Sequence, residues 1–152
     1  MNRPRVFLDS CILVEGLVAP WSSSRGVLIL GRSALLTFVL AEIVIEETGR
    51  ALARKIGPQY GGRRQLRDDF KLLLERLIIE RVPHVSQSEF DAASKLIRHP
   101  NDVPVLAAAL NAKPDWLLSS NTAHFSPAVA KRTALRITTP ADFLDQCARI
   151  LR

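Results

Sequence analysis

The chain has 152 residues, of which 47% are hydrophobic and 24% are charged, so it is long enough for one domain to bury its own core. No apolar run approaches the roughly 20 residues needed to span a bilayer. Asp9 and Glu15 interrupt the amino-terminal region too early for a signal peptide. We therefore expect a cytoplasmic protein, folded as a single domain over residues 1–152, with no membrane association.

The charge balance favours a polyanionic partner. Lysine and arginine together number 21, against 15 aspartates and glutamates, which gives a formal net charge of +6. Nucleic acid is the commonest polyanion that a basic protein meets in a cell. The two cysteines, Cys11 and Cys147, lie far apart and lack metal-ligand spacing, which argues against a disulfide framework or a zinc site.

The first predicted strand ends in an acid. Val6, Phe7 and Leu8 form a short apolar run of the kind found in strands buried inside parallel sheets, and Asp9 follows at the carboxyl end. Open α/β sheets place their ligand sites at this edge. Two interpretations stay open at this point. Asp9 either caps the following helix or belongs to a site that other carboxylates complete.

The rest of the amino-terminal half alternates helices with one strand. The pattern predicts helices over residues 10–19, 25–33 and 42–55, a buried strand over 35–39 and a loop over 57–62.

The helix predicted over residues 42–55 carries two neighbouring acids in different positions. Glu46 lies nearly opposite the apolar face and four residues before Arg50, as a solvated ion pair would. Glu47 lies at the rim of the apolar face, where its carboxylate would reach the edge of the sheet. Glu47 is therefore the candidate site residue, with a plain surface charge as the alternative.

The carboxyl-terminal half continues the alternation. Leucines at helical spacing predict a helix over residues 63–77, and the serine and glutamate of a capping box open another near residue 86. The pattern predicts a short edge strand over 82–85, helices over 86–97, 103–111 and up to 131, strands over 116–121 and 135–138, and a final helix over 139–151 with Phe143, Leu144, Cys147, Ile150 and Leu151 facing inward. This order of elements indicates a three-layer α/β/α sandwich with a mostly parallel central sheet.

Two further polar residues follow the same arrangement as Asp9. Asp102 precedes the helix predicted over residues 103–111, where capping is an adequate account of it, and where its carboxylate would also lie beside the sheet. Asn121 follows the strand predicted over 116–121, with an amide where Asp9 has an acid.

Three carboxylates gathered at one edge predict a cation site. Asp9, Glu47 and Asp102 come from separate elements, and in a low-dielectric cleft they would stay ionised together only with a compensating cation. Hard oxygen ligands select Mg²⁺ or Mn²⁺. Such an ion lowers the pKa of bound water and neutralises charge on a phosphodiester, which suits hydrolysis of nucleic acid by a basic protein.

The sequence resembles the PIN-domain ribonucleases, and within them the VapC-like toxins of toxin–antitoxin systems. The resemblance extends over nearly the whole chain and rests on five segments in order: residues 6–10, 45–52, 99–110, 116–125 and 138–144. It implies a PIN-like fold in which Asp9, Glu47 and Asp102 hold Mg²⁺ or Mn²⁺ and Asn121 is the fourth site residue.

The resemblance also implies the activity and the partners. It implies a metal-dependent endoribonuclease that cleaves RNA, is inhibited by a small antitoxin protein and forms a homodimer. The chain departs from the family pattern at three positions. Cys11 stands where many members have asparagine, His99 where an acid is common, and Asn121 where aspartate is usual.

Two rival functions remain open. Receiver and haloacid-dehalogenase-like phosphotransfer domains also place an aspartate after the first strand, but they need a second carboxylate beside it, where this chain has Ser10 and Cys11. The second rival is a catalytically weak or inactive PIN fold that only binds RNA or a protein partner. Replacing Asp9 by asparagine separates this rival from a nuclease, because only a nuclease loses RNA cleavage.

Overall fold

The computed structural model describes residues 2–55 and 63–150 and contains five strands and eight helices within these ranges. The elements, in chain order, are β1 (Arg5–Leu8), α1 (Ser10–Val18), α2 (Ser23–Arg32), β2 (Thr37–Ala41), α3 (Glu42–Ala53), α4 (Arg63–Arg76), β3 (Ile79–Val82), α5 (Gln87–Ser94), α6 (Val103–Ala112), β4 (Trp116–Leu118), α7 (Pro127–Thr133), β5 (Ile137–Thr138) and α8 (Pro140–Ile150). A 3₁₀ turn, Pro100–Asp102, leads into α6. The predicted loop over 57–62 falls almost entirely outside the described residues.

The five strands form one parallel sheet with β1 at its centre. The strand order is β3-β2-β1-β4-β5, and Phe7 of β1 is in register with Val39 of β2 and Leu117 of β4. Helices cover this sheet, so the predicted three-layer α/β/α sandwich is confirmed. Since all strands are parallel, their carboxyl ends meet at one edge.

Burial of whole strands explains their unbroken apolar runs. Every residue of β1 from Val6 to Leu8 is fully buried, and so is every residue of β2 from Phe38 to Ala41. A strand buried on both faces has no polar face to alternate with. The small side chains of Ala107, Ala108 and Ala109 on α6 are buried as well, which lets this helix lie close to β2.

Polar contacts tie together the end of the sheet opposite to the acids. The Arg5 guanidinium makes a two-pronged contact with Glu80 of β3, at 2.6 and 2.9 Å, and the backbone N–H of Arg5 donates to Asp115 at 2.7 Å. These contacts join β1 to β3, across β2, and to the residue before β4. In the described part of the chain, no helix is both long and apolar enough to cross a bilayer.

Two predicted strands lie at shifted positions. The strand predicted over residues 35–39 runs instead from Thr37 to Ala41, because Ala34 adopts a left-handed turn and Leu35 is 57% exposed. The strand predicted over 82–85 is Ile79–Val82, and Pro83 falls just after it. Its predicted edge position is confirmed, since β3 pairs with β2 alone among the strands described.

The prediction that apolar residues of the last helix face inward is wrong at the carboxyl end of this helix. Phe143 is buried and Leu144 and Cys147 pack against the core, but Ile150 is 83% exposed. The helix extends past the sheet there, so the apolar spacing continues after the core that it would face has ended. Leu151 lies outside the described residues.

Alanine substitution at two helical glycines is expected to change the stability of the protein in opposite directions. A methyl group at Gly31 of α2 would overlap the ring of the buried Phe38, whereas nothing lies within 4 Å of the corresponding position at Gly49 of α3. We expect Gly31→Ala to destabilise the protein by about 1–3 kcal/mol, and Gly49→Ala to stabilise it by about 0.4–1 kcal/mol. Urea denaturation of both variants measures this, and equal effects would contradict the packing described.

Candidate active site

The Asp9 carboxylate is buried where the central strand ends. Asp9 is 7% exposed. Its Oδ1 accepts a hydrogen bond from the backbone N–H of Ser10 at 2.8 Å, and its Oδ2 accepts one from the Ser119 hydroxyl at 2.8 Å. The capping interpretation of Asp9 is therefore confirmed, and its membership of a carboxylate site stays a prediction. One oxygen caps α1, while the other meets the end of the neighbouring strand β4.

Glu47 lies on the second turn of α3 and borders a cleft of about 480 Å³. This is the half-buried position predicted for it at the rim of the apolar face. The cleft is lined by residues from α1, α3 and the turn before α6, among them Ser10, Glu47, Arg50, Arg54, Pro100 and Asn101. The neighbouring Glu46 pairs with His84 at 2.8 Å rather than with the Arg50 expected from helical spacing.

Asp102 ends the 3₁₀ turn and stands at the N-cap position of α6, but its side chain makes no capping hydrogen bond. Its carboxylate turns instead toward His124, whose Nδ1 lies 2.7 Å from Asp102 Oδ2. Both atoms are buried, and the contact does not have hydrogen-bond geometry. Capping therefore does not account for Asp102, which presents a buried oxygen with no donor among the residues described.

The three carboxylates influence one another electrostatically. Burial raises the pKa of Asp9, the hydrogen bonds from Ser119 and Ser10 lower it, and the charge of Asp102 raises it further. Burial likewise raises the pKa of Glu47, Ser10 lowers it, and the charges of Asp9 and Asp102 add to the rise. The net direction is upward for both acids. The structure thus brings together three like charges that lie 38 or more positions apart along the chain.

Ser119 and Asn121 connect the end of β4 to this cluster. The Ser119 hydroxyl donates to Asp9 and accepts the backbone N–H of Asn121 at 3.1 Å. The Asn121 side-chain oxygen accepts the backbone N–H of His124 at 3.4 Å. Asn121 therefore lies one hydrogen-bonded link away from Asp9, and its own carbonyl oxygen closes the turn that carries His124.

Cys11 fills the space beside Asp9. Its Sγ lies 3.5 Å from Asp9 Oδ2 and 3.7 Å from the Ser119 hydroxyl, and it accepts the backbone N–H of Ser120 at 3.4 Å. Burial and the adjacent Asp9 carboxylate raise the pKa of the Cys11 thiol to about 11. The thiol is therefore protonated at neutral pH and acts as a packing group and weak donor at this site.

Two histidines beside the acids were not predicted as a pair. His99 and His124 stack with ring centroids 3.4 Å apart and an angle of 17° between the planes. Asp102 follows His99 by three positions, and His124 follows Asn121 by three. The sequence did hold a signal for each histidine, since both stand next to candidate site residues. The contact between them could not be predicted, because it depends on how the two turns fold together.

The carboxylates of Asp9, Glu47 and Asp102 suit a hard divalent cation as ligands, although these side chains do not converge on one point. No group of three or more His, Cys, Asp or Glu side chains in residues 2–55 and 63–150 is placed to hold a metal ion. Carboxylate oxygens are nonetheless the ligands that Mg²⁺ and Mn²⁺ prefer. The buried Asp102 oxygen lacks a hydrogen-bond donor in the described residues, and burial together with like charge raises the pKa of Asp9 and Glu47. A cation would relieve both features.

The raised pKa of Asp9 predicts how stability depends on pH in metal-free buffer. The folded protein holds this proton to a higher pH than the unfolded chain does, so stability decreases as the pH rises through that interval. We expect Asp9→Asn to become progressively more stable relative to the wild type between about pH 4 and pH 7. Chemical denaturation in the presence of EDTA measures the difference.

The exposed Asp145 offers a matched control for that measurement. Asp145→Asn removes the same charge without removing a buried carboxylate. If the two variants differ from the wild type by the same pH-dependent amount, burial of Asp9 is not the cause.

Comparisons with known proteins identify the family. The family model described as PIN domain matches residues 5–123. A search of the curated proteins found no match to this sequence.

Several solved structures share the fold at low sequence identity. VapBC2 from Rickettsia felis, bound to a DNA fragment from its promoter, has a TM-score of 0.66 at 18% identity and covers 89% of this chain and 98% of its own. PAE2754 from Pyrobaculum aerophilum has a TM-score of 0.62 at 12% identity, and the match covers 96% of this chain and 90% of that protein. VapBC-1 from nontypeable Haemophilus influenzae has a TM-score of 0.58 at 16% identity, and the match covers 90% of this chain and 98% of that chain.

The family match covers most of the chain and includes Asp9, Glu47, Asp102 and Asn121. It sets aside the phosphotransfer interpretation of Asp9. The chain belongs to the PIN domain family, whose members are nucleases.

Proposed function

We propose that this protein is an endoribonuclease that hydrolyses RNA phosphodiester bonds with the help of Mg²⁺ or Mn²⁺. The observation that carries the proposal is the gathering of three mutually repelling carboxylates, Asp9, Glu47 and Asp102, at one edge of the sheet. A protein of net charge +6 with acids beside a cleft that arginines line matches a polyanionic substrate with a site for a cation beside it.

Asp9, Glu47 and Asp102 would hold the ion. When bound, the ion would supply an activated water and would neutralise charge on the phosphodiester. Asp102 presents the buried oxygen that now faces His124, so it is the residue whose contacts would change most on binding.

Other residues of the chain orient these acids. The Ser10 N–H and the Ser119 hydroxyl hold the two oxygens of Asp9 in fixed directions. Ser119 also holds the backbone of Asn121, which we assign as the fourth site residue, orienting water or substrate through its side-chain amide. These contacts are in place before substrate arrives, so the site needs little rearrangement around Asp9.

Arg50 and Arg54 are suited to bind the RNA backbone. They lie one turn apart on α3 and line the same cleft as Glu47. Arginine binds phosphate through several N–H groups at once. A phosphodiester held by these arginines would lie within the cleft that Glu47 borders.

A PIN fold that binds RNA or a protein without cleaving it is the second candidate. The observation that favours it is the 2.7 Å contact between His124 and Asp102, because the histidine takes a position against the carboxylate that a cation would otherwise share. The cleavage experiment below distinguishes the two candidates.

We further infer a small antitoxin protein as partner, together with a homodimer of this chain. A groove of about 220 Å³ among α1, α2 and α4 combines apolar side chains with three arginines and one acid, and its lining includes Leu17, Arg25, Arg32, Asp69 and Arg76. Arg25 Nε is buried there without a hydrogen-bond partner among the described residues, and a carboxylate of a bound partner would satisfy it. The homodimer rests on family resemblance alone and is tested by light scattering.

Removing either Asp9 or Asp102 should abolish cleavage. We expect Asp9→Asn and Asp102→Asn each to lower the rate by more than about 100-fold, because loss of a ligand exceeds the effect of losing an outer partner of one. Cleavage of labelled single-stranded RNA in Mg²⁺ or Mn²⁺, followed on denaturing gels and stopped by EDTA, measures this. Mn²⁺ should also raise the melting temperature of the wild type but not that of Asp9→Asn.

Glu46→Gln is the matched control, since Glu46 adjoins Glu47 but is exposed and pairs with His84. It should cleave RNA at nearly the wild-type rate. Equal behaviour of the wild type and Asp9→Asn with both ions and several RNAs would contradict the nuclease proposal and favour the binding module.

A further inference from the structure

Another cavity is lined by both of the paired histidines. It encloses about 240 Å³, and its polar lining comes from two separate parts of the chain. Arg98 and His99 belong to the segment between α5 and the 3₁₀ turn, whereas His124, Ser126 and Arg132 belong to the turn after β4 and to α7. None of these residues has been given a role in holding the cation.

The cavity shares a wall with the acidic site. His124 lines the cavity and also lies 2.7 Å from Asp102 through its Nδ1. Its ring also stacks on His99, which lines the cavity as well. A ligand in the cavity would therefore be a close neighbour of a substrate at Asp102.

The polar groups of the cavity suit a phosphate. Arg98 and Arg132 are exposed, and in residues 2–55 and 63–150 neither forms an ion pair. Ser126 Oγ accepts the backbone N–H of Val129, which leaves the hydroxyl hydrogen to be donated. Two unpaired guanidinium groups and a hydroxyl match the oxygens of one phosphodiester group.

We propose that this cavity is a substrate subsite, which binds the phosphate of a nucleotide next to the one whose linkage is cleaved. Arg98 and Arg132 hold that phosphate, and the exposed His99, stacked on His124, supports the attached base, since histidine is among the side chains on which unpaired RNA bases stack. The inference rests on the proposed function and assigns single-stranded RNA as its substrate class. An acidic segment of a protein would use the arginines but not the stacked rings.

The test measures RNA binding without cleavage. In an Asp9→Asn background, the double substitution Arg98→Gln with Arg132→Gln is compared with Lys95→Gln plus Lys131→Gln. The control removes the same two positive charges from exposed positions on the same segments, outside the cavity. Binding of a fluorescent single-stranded RNA is followed by anisotropy over a range of salt concentrations, and circular dichroism verifies that each variant is folded.

We expect the arginine variant to bind RNA about tenfold more weakly than its background, as for loss of hydrogen bonds to a charged group. Its slope of log affinity against log salt should also fall by about 0.7, the value for one phosphate on a single strand. The lysine control should change affinity less than twofold and leave the slope as it was. In the chain with Asp9 intact, the arginine variant should raise KM for cleavage and retain most of kcat.

Three results would overturn the subsite. Equal weakening by the arginine and lysine variants would indicate general attraction, and no measurable binding of RNA by the parent chain would leave the cavity without this ligand. Unchanged RNA binding, with loss of binding to an acidic peptide instead, would assign the cavity to a protein partner. Failure of the nuclease proposal appears separately, as cleavage that does not depend on Asp9.

Discussion

Burial of one ionisable carboxylate at the end of the central strand is the constraint on which the site depends. Asp9 has 7% of its surface exposed, and two hydrogen bonds, from Ser10 and Ser119, compensate only part of what it loses in leaving water, since its pKa remains raised. Glu47 and Asp102 add negative charge to the same region. A fold that accepts this repulsion keeps it where a bound cation would relieve it.

The two ends of the sheet differ in how their charged residues are arranged. At the amino ends of the strands, Arg5 contacts Glu80 and Asp115, so opposite charges are paired there. At the carboxyl ends, the carboxylates of Asp9, Glu47 and Asp102 lie close enough to repel one another, and Asp102 contacts His124 at 2.7 Å. Because the sheet is parallel, the separation follows directly from topology: all strands begin at one edge and end at the other, and the loops that follow them carry the polar residues.

Cationic groups line two cavities near the acids. Arg50 and Arg54 line the cleft that Glu47 borders, and Arg98 and Arg132 line the cavity that His99 and His124 share. Under the proposed function, both pairs would give the net positive charge a specific use, since each would bind the RNA backbone near the carboxylates.

The sequence by itself determined the order of the elements, the parallel sandwich and the placement of Asp9, Glu47 and Asp102 at its carboxyl edge, because apolar runs, helical spacing and capping residues are local signals. Tertiary structure decided what depends on contacts between distant segments. It moved the second strand to Thr37–Ala41 and left Ile150 exposed at the end of α8. It also turned Asp102 from the cap of α6 toward His124, 22 positions further on, through a meeting of two turns that no local pattern encodes.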